Sequence, residues 1–229
     1  MDMTPFFLSI RIALLSTIIV FIIGTILARF ISRRNFNGKT FLESLFMLPM
    51  VLPPTVIGFG LLYLFGKNGP LGIMLETVFD WRIVFTWHAA VLAATVVSFP
   101  LMYQSAAAAF LKYDRNIENA AYTLGASRWK VFWTISFPMA WPGLLAGVVL
   151  AFARGLGEFG ATLMVAGYIP GKTDTLPMAI YFATEAGNTA QAGIWVLIIV
   201  FIGLTTIYWL NKWNQSPTVR FISKKKRGF

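Results

Sequence analysis

The stretch Leu111–Pro138 reads LKYDRNIENAAYTLGASRWKVFWTISFP and lies between two long apolar segments. It is the most polar interior part of an apolar chain, and its polar residues are ordered. Asp114, Glu118 and Asn119 come first, and Gly125 separates them from the basic residues that follow. This order predicts an amphipathic helix, a break at the glycine, and a second helix that enters the next apolar segment. We expect the loop to dock a soluble partner.

The composition indicates a membrane protein. Of the 229 residues, 57% are hydrophobic and only 12% are charged, whereas a soluble domain has about 25% charged residues. The formal net charge is +10, but the basic residues cluster in short segments beside apolar spans. That pattern is typical of membrane topology and not of nucleic-acid binding. The absence of cysteine excludes disulfides, thiolate metal sites and a cysteine nucleophile.

Five segments are apolar enough to cross a hydrocarbon core, which requires about 20 residues. They are 6–31, 41–65, 83–110, 141–165 and 192–210. The predicted fold is therefore an all-α integral membrane protein with a single transmembrane domain. The first segment lacks a preceding basic region and a cleavage site, so we interpret it as a retained span rather than a signal peptide.

The second segment contains three prolines, Pro49, Pro53 and Pro54, which predict a break or kink. Broken helices often border the pathway of a transport protein. A kink that serves only helix packing is an equal alternative.

The distribution of Lys and Arg predicts the orientation. Loops on one side hold three such residues, Lys67, Arg82 and Lys172. Those on the other side hold Arg29, Arg33, Arg34, Lys39, Lys112, Arg115, Arg128, Lys130, Lys212, Arg220, Lys224, Lys225, Lys226 and Arg227. The positive-inside rule therefore predicts an outer N-terminus, with the loop 111–138 and the basic tail 212–229 in the cytoplasm.

Three motifs invite an enzymatic interpretation, and none fits its required context. The GxGxxG match at Gly155–Gly160 lies inside an apolar span, where close helix packing is the better interpretation. The Gly171–Thr173 stretch resembles the end of a phosphate-binding loop but lacks the earlier glycine. The single histidine, His88, cannot build a histidine metal site, and we expect it beside Trp87 in an aromatic belt. We predict no catalytic residues, no metal site and no ATPase within this chain.

Two ionisable residues, Arg154 and Glu158, lie four positions apart in the fourth predicted span, so we expect them on one helix face. Charged groups within a span face a bundle interior or an aqueous cavity. Two interpretations remain open. The residues form an ion pair that holds the helix in place, or Arg154 offers positive potential to an anion in transit.

The loop resembles the coupling loop of permease subunits of ATP-driven importers. Those subunits share the pattern EAA, three residues, Gly, nine residues, then I-x-L-P. Here Asn119-Ala120-Ala121 is followed, after three residues, by Gly125 and, after nine more residues, by Ile135-Ser136-Phe137-Pro138. The sequence departs from the pattern at Asn119, with Glu118 one position earlier, and at Phe137. An ordinary amphipathic surface helix is the alternative.

This resemblance implies that the loop couples the chain to a separate ATPase. The coupling set comprises Glu118, Asn119, Ala120, Ala121, Gly125, Ala126, Ile135 and Pro138. We expect Gly125 to adopt a left-handed turn that ends the helix, and Pro138 to favour the start of the next one.

Further stretches resemble oxyanion importers of the molybdate type: 52–58, 68–72, 97–101, 151–162 and 169–177. The GEFGA sequence within them is shared mainly with sulfate and thiosulfate permeases, so a sulfate importer is the alternative. Tungstate is not separable from molybdate by sequence.

The resemblance implies a type I importer permease fold and an assembly in the cell membrane of a bacterium or archaeon. The implied partners are a second copy of the chain, cytoplasmic ATP-binding-cassette subunits that bind ATP and Mg²⁺, and an extracytoplasmic molybdate-binding protein. No cofactor is expected in this chain. The candidate anion path consists of Arg154, Glu158, Thr55, Thr95 and Ser98. A stand-alone channel or a membrane enzyme is a distant alternative.

Overall fold

The computed structural model describes residues 2–214, and in that part of the chain every regular element is helical. The helices are α1 (Thr4–Ile31), α2 (Lys39–Val51), α3 (Pro54–Phe65), α4 (Pro70–Phe79), α5 (Trp87–Lys112), α6 (Arg115–Thr123), α7 (Arg128–Val131), a π-helical segment (Phe132–Ser136), α8 (Phe137–Leu156), α9 (Gly160–Ala166), α10 (Leu176–Glu185) and α11 (Thr189–Asn214). Of the predicted basic tail, residues 215–229 lie outside the described residues.

Four helices within the described residues are long and apolar enough to cross a membrane alone: Thr4–Ile31, Trp87–Lys112, Arg128–Leu156 and Thr189–Lys212. The pair α2 and α3 passes the same test together, but a bend of 112° separates its halves. Pro53 and Pro54 lack the N–H groups that would continue the helix, which explains the break. The prediction that the second span is broken is confirmed.

The core lies where α1, α5 and α8 pack together. Small residues line the contacts and permit the close approach. A Cβ atom placed on Gly143 would lie 2.6 Å from Cβ of Ala109, and one on Gly147 would lie 2.8 Å from Cβ of Ser105. The sequence assigned close packing to Gly155–Gly160, and Gly155 agrees, since a Cβ atom there would lie 3.1 Å from Oγ of Ser16.

The fourth predicted span, 141–165, is not one helix. The helix ends at Leu156, and after Gly157–Phe159 the short α9 begins. Two closely spaced glycines weaken the helix here. The carboxylate of Glu158 then accepts a hydrogen bond of 2.8 Å from the Ala161 N–H and so helps to begin the new helix.

Pro138 is the second residue of α8, so the expectation that it favours the start of a helix is confirmed. The helical turns that lead into α8 begin at Arg128, where the Ser127 side chain accepts a hydrogen bond from the Lys130 N–H. Pro138 is accommodated within this helix, because the preceding segment widens into a π-helix in which the Phe137 N–H bonds the Phe132 carbonyl. A proline ring would otherwise clash with the carbonyl four residues earlier.

Other boundaries also differ from the sequence prediction. The third span begins at Trp87 rather than residue 83, and the last one runs from Thr189. The two predicted outer loops contain α4 and α10, which the sequence analysis did not assign. Their apolar stretches, at about ten residues, are too short to suggest a span.

Candidate functional site

The loop 111–138 contains the helix α6 and the turn that follows it. Asp114 caps the start of α6 by accepting a hydrogen bond of 2.9 Å from the Asn116 N–H. The end is closed by a bond of 3.0 Å from the Ala126 N–H to the Ala121 carbonyl. Gly125 has a φ of +82°, as the sequence predicted, because such a closure requires a left-handed residue.

One side of this loop is open to its surroundings. Asn119 and Ala120 are exposed, whereas Ala121, Ala126 and Ile135 are half-buried. The apolar side chains of Leu124 and Trp129 are 88% and 72% exposed. We call Asn119, Ala120, Leu124 and Trp129 the docking surface. Large exposed apolar groups beside small ones are typical of a surface that receives another protein.

The other side of α6 carries Glu118, which is buried against its own chain. Two arginines approach its carboxylate, one from the last turn of α1 and one from the turn that follows it: Arg29 Nη2 lies 3.1 Å from both oxygens, and Arg33 Nη1 lies 3.5 Å from Oε2. Ser136 donates a hydrogen bond of 2.6 Å to Oε1, and the Tyr113 hydroxyl donates to the same oxygen. We call these five residues the Glu118 cluster.

The cluster joins four parts of the fold, which are the end of α1, the end of α5, helix α6 and the π-helical segment. Arg33 also donates to the Phe110 carbonyl at 2.8 Å, so it satisfies a carbonyl that the end of α5 leaves open. Through one carboxylate, α6 therefore contacts the ends of α1 and α5 and the π-helical segment that leads into α8.

Burial raises the pKa of the Glu118 carboxyl, but the hydrogen bonds from Ser136 and Tyr113 and the charge of Arg29 outweigh burial and lower that pKa below its ordinary value. The carboxylate is thus ionised at neutral pH. The pKa of Tyr113 is raised, first by burial of its hydroxyl and then by its hydrogen bond to Glu118.

Glu118 was expected in the coupling set together with its exposed neighbours. Unlike them, it is buried against its own chain. The other members of the cluster were missed as a group. The signal was the pair of arginines at the end of the first apolar segment: Arg29 lies in the last turn of α1, and Arg33 lies two residues beyond its end.

A second group of polar residues lies at the break between α8 and α9. Arg154 Nη1 is 2.8 Å from Glu158 Oε2, and the Arg154 side chain is 33% exposed whereas Glu158 is buried. The predicted pair exists. The reason given for it was wrong, because Glu158 lies beyond the end of the helix that carries Arg154.

Among residues 2–214, no hydrogen bond joins Arg154 to the three hydroxyl residues of the candidate anion path. Thr55 is exposed at the start of α3. The Thr95 hydroxyl is buried without a hydrogen-bond partner. Ser98 is fully buried, and its hydroxyl donates a hydrogen bond of 2.6 Å to the Ala94 carbonyl of its own helix. Its assignment to the anion path is therefore corrected.

The two breaks in the spans lie close together. A Cβ atom on Gly160 would be 3.0 Å from Cβ of Pro54, and one on Gly58 would be 2.9 Å from Cα of Ala161. Helices α3 and α9 therefore pack with their starting ends side by side. Residues 53–56 at the first break are exposed.

No group of three or more His, Cys, Asp or Glu residues that could hold a metal ion occurs among residues 2–214. The expected aromatic contact of His88 is present, with its ring 3.8 Å from that of Trp87.

A family model for the binding-protein-dependent transport system inner membrane component matches residues 4–216. The chain belongs to this family. A putative molybdenum transport system permease protein, YvgM, of Bacillus subtilis is 52% identical over 91% of this chain and 92% of its own length. The molybdenum transport system permease protein ModB of Escherichia coli is 42% identical over 93% of this chain and 95% of its own length.

The sulfate alternative has a more distant relative. A probable sulfate transport system permease protein of Chlorokybus atmophyticus is 32% identical over 91% of this chain and 72% of its own length. Among solved structures, a chain of the MetNI methionine ABC transporter in an inward-facing conformation has a TM-score of 0.70 at 14% identity, covering 95% of this chain and 94% of that one. The fold is therefore that of a type I ABC importer permease.

Proposed function

We propose that this chain is the membrane-spanning permease subunit of an ATP-driven importer for molybdate. The observation that carries the proposal is its similarity to molybdenum permeases along nearly its whole length, which exceeds its similarity to the sulfate permease. Tungstate, which has the same charge and tetrahedral shape, is expected to share the route.

The energy for transport comes, in this proposal, from separate cytoplasmic ATPase subunits that bind ATP and Mg²⁺. The docking surface is suited to receive such a subunit, because Leu124 and Trp129 offer apolar area that the chain itself leaves open. The Glu118 cluster passes the movement of α6 to α1, α5 and α8. Alternating access would follow as the ATPases close and draw the loops of two permease copies together.

The passage is proposed to run along the face that carries the break between α2 and α3. Non-helical backbone within a membrane is tolerated only where protein covers it or water fills a cavity. Residues 53–56 are exposed in the single chain, so a second copy of this chain and an aqueous route between the copies would satisfy the requirement. This argument supports a homodimer.

Arg154 is proposed to provide positive potential along the route. Its side chain is partly exposed next to the break at Gly157–Phe159. A single cation, paired with Glu158, attracts an oxyanion without holding it tightly. Most of the selectivity would then belong to an extracytoplasmic molybdate-binding protein.

The proposed orientation has the N-terminus outside and the loop 111–138 in the cytoplasm, as the distribution of basic residues indicates. Under this orientation the docking surface faces the cytoplasmic ATPase.

The decisive experiment reconstitutes the permease with its ATPase and binding protein in proteoliposomes. ATP hydrolysis and anion uptake are measured with molybdate, tungstate and sulfate at equal concentration. We expect molybdate and tungstate to stimulate both activities and sulfate to stimulate neither. Stimulation by sulfate alone would assign the chain to the sulfate importers, and uptake that needs no ATPase would indicate a channel.

A further inference from the structure

A cavity of about 930 Å³ lies at the outer end of α1. Three segments form it: the first two turns of α1, the connection between α4 and α5, and the turn at residues 171–172. Its lining combines the basic residues Arg11, Arg82 and Lys172 with aromatic rings. None of these residues belongs to the docking surface, the Glu118 cluster or the helix breaks.

The aromatic rings of this cavity form a stack that fixes one of its cations. The Arg11 guanidinium lies over the Trp87 ring, 3.8 Å from its centroid. The ring of His88, the next residue in the chain, packs against the Trp87 ring with a centroid distance of 3.8 Å. It also makes an edge-to-face contact with the Trp81 ring, with a centroid distance of 5.2 Å. A guanidinium held on an aromatic face keeps its N–H groups free to bind an anion.

The charge of the cavity is only partly balanced by the chain. No acidic side chain among residues 2–214 forms an ion pair with Arg11 or Lys172, whereas Arg82 is paired with Glu76. Asp2 is the acidic member of the lining, and its carboxylate accepts a hydrogen bond of 2.6 Å from Thr4. Two cations without acidic partners therefore share one cavity, which suits a phosphate or another oxyanion.

The position of Arg11 relates the cavity to the bilayer. Helix α1 has 28 residues, which corresponds to about 42 Å at a rise of 1.5 Å per residue. It is longer than a hydrocarbon core of about 30 Å, so its ends reach the headgroup layers. Arg11 is seven residues from the start of the helix and lies near the boundary between headgroups and acyl chains.

The cavity opens onto an uncovered apolar stripe of the same helix. Phe7 precedes Arg11 by four residues, and Leu14, Ile18 and Ile22 follow it at helical spacing; each of the four is about half exposed or more. An acyl chain lying along this stripe would have its phosphate beside Arg11. A free oxyanion needs no such stripe, which favours a lipid.

We propose that this cavity binds the phosphate of an anionic phospholipid, with Arg11 and Lys172 as its cationic ligands and Trp87 and Phe7 as the apolar wall. The lipid fixes the outer end of α1 against the start of α5. The inference requires only that the chain lies in a bilayer, so it does not depend on which anion is transported.

The test uses the full chain purified with its ATPase. The complex is incubated in mixed micelles of phosphatidylglycerol and phosphatidylcholine, and retained lipid is counted by native mass spectrometry. We expect preferential retention of phosphatidylglycerol. Replacement of both Arg11 and Lys172 by Gln should reduce the preference roughly 25-fold, since each basic residue near an anionic headgroup contributes about fivefold. The matched control is Lys67→Gln, an exposed outer cation that does not line the cavity, and it should retain the preference.

Two further measurements distinguish a lipid phosphate from a free oxyanion, and a lipid from a protein partner. Inorganic phosphate or molybdate in excess should not displace the lipid; displacement would assign the cavity to a free oxyanion. The double variant is also tested for association with the binding protein. Unchanged lipid retention in the double variant overturns the proposal, and weakened association in that case identifies the cavity as a protein-docking surface.

Discussion

Ser136 donates a hydrogen bond of 2.6 Å to Glu118, across eighteen residues of chain and from a π-helical segment to the loop helix. The bond ties α6 to the beginning of the long helix that continues into the membrane. Ion pairs from Arg29 at the end of α1 and from Arg33 just beyond it complete the attachment. The loop is therefore not a flexible appendage on the spans, because its inner side is part of their packing.

Removal of the Glu118 charge should uncouple the loop from the spans. In Glu118→Ala, Arg29 and Arg33 lose their partner while both remain largely buried, and breaking a buried pair costs about 3–5 kcal/mol. We expect a lower melting temperature of the purified complex. In Glu118→Gln, which retains the shape, we expect more ATP hydrolysed per anion transported.

The control for the two Glu118 variants is Glu185→Gln, which removes an exposed carboxylate on α10. The number of ATP molecules hydrolysed per anion separates two roles. If Glu118 has only a structural role, its variants should lower the amount of assembled complex and leave the number of ATP molecules per anion unchanged. Such a result would refute the coupling role.

The same carboxylate predicts a pH dependence of stability. The pKa of Glu118 is lower in the folded chain than its ordinary value of 4.5. A depressed carboxyl pKa contributes stability that is complete above the unfolded-state pKa and is lost as pH falls through the folded-state pKa. The wild-type melting temperature should therefore decrease on acidification below about pH 4.5 more steeply than that of Glu118→Gln. Parallel curves for the two proteins would contradict the assignment.

The turn at Gly125 tests the geometry of the docking surface. A Cβ atom at this position would meet nothing within 4 Å, so its φ of +82° is the only obstacle to another residue. Gly125→Val should cost about 1–3 kcal/mol through backbone strain and reduce ATPase binding and uptake. Gly125→Asn is the matched control, because asparagine tolerates left-handed conformations. Equal uptake by the two variants would show that the turn does not matter for docking.

The sequence predicted the helical class, the broken second span and the closure of α6 at Gly125, because prolines, glycines and apolar runs act locally. It did not predict the inward position of Glu118. The contacts that decide this position come from residues 89 and 85 positions away, Arg29 and Arg33. The break after Leu156 was also missed, since a glycine in an apolar segment is equally compatible with close packing.

The pair at the second break allows the passage role of Arg154 to be separated from a structural one. In Glu158→Gln the new amide can still accept the hydrogen bond from the Ala161 N–H, and Arg154 becomes unpaired. If the Arg154–Glu158 pair only holds the helices together, the Glu158→Gln complexes that assemble should take up molybdate at the wild-type rate. Under the proposed role, we expect Arg154→Gln to assemble but to transport molybdate more slowly, by about tenfold for a loss of about 1.4 kcal/mol. Normal uptake per complex in Arg154→Gln would remove Arg154 from the route.

The close contact between α5 and α8 predicts that replacement of Gly143 destabilises the fold. A Cβ on Gly143 would lie 2.6 Å from Cβ of Ala109, closer than packed carbon atoms approach, and the two helices would have to separate. Since α5 and α8 also form the core beside the Glu118 cluster, Gly143→Ala should lower stability by about 1–3 kcal/mol. Gly193→Ala, on α11, meets nothing within 4 Å and should be neutral or stabilising, because alanine favours helix by up to about 1 kcal/mol. Thermal unfolding of the two purified complexes in the same detergent compares the changes directly, and a Gly143→Ala complex as stable as Gly193→Ala would contradict the close contact.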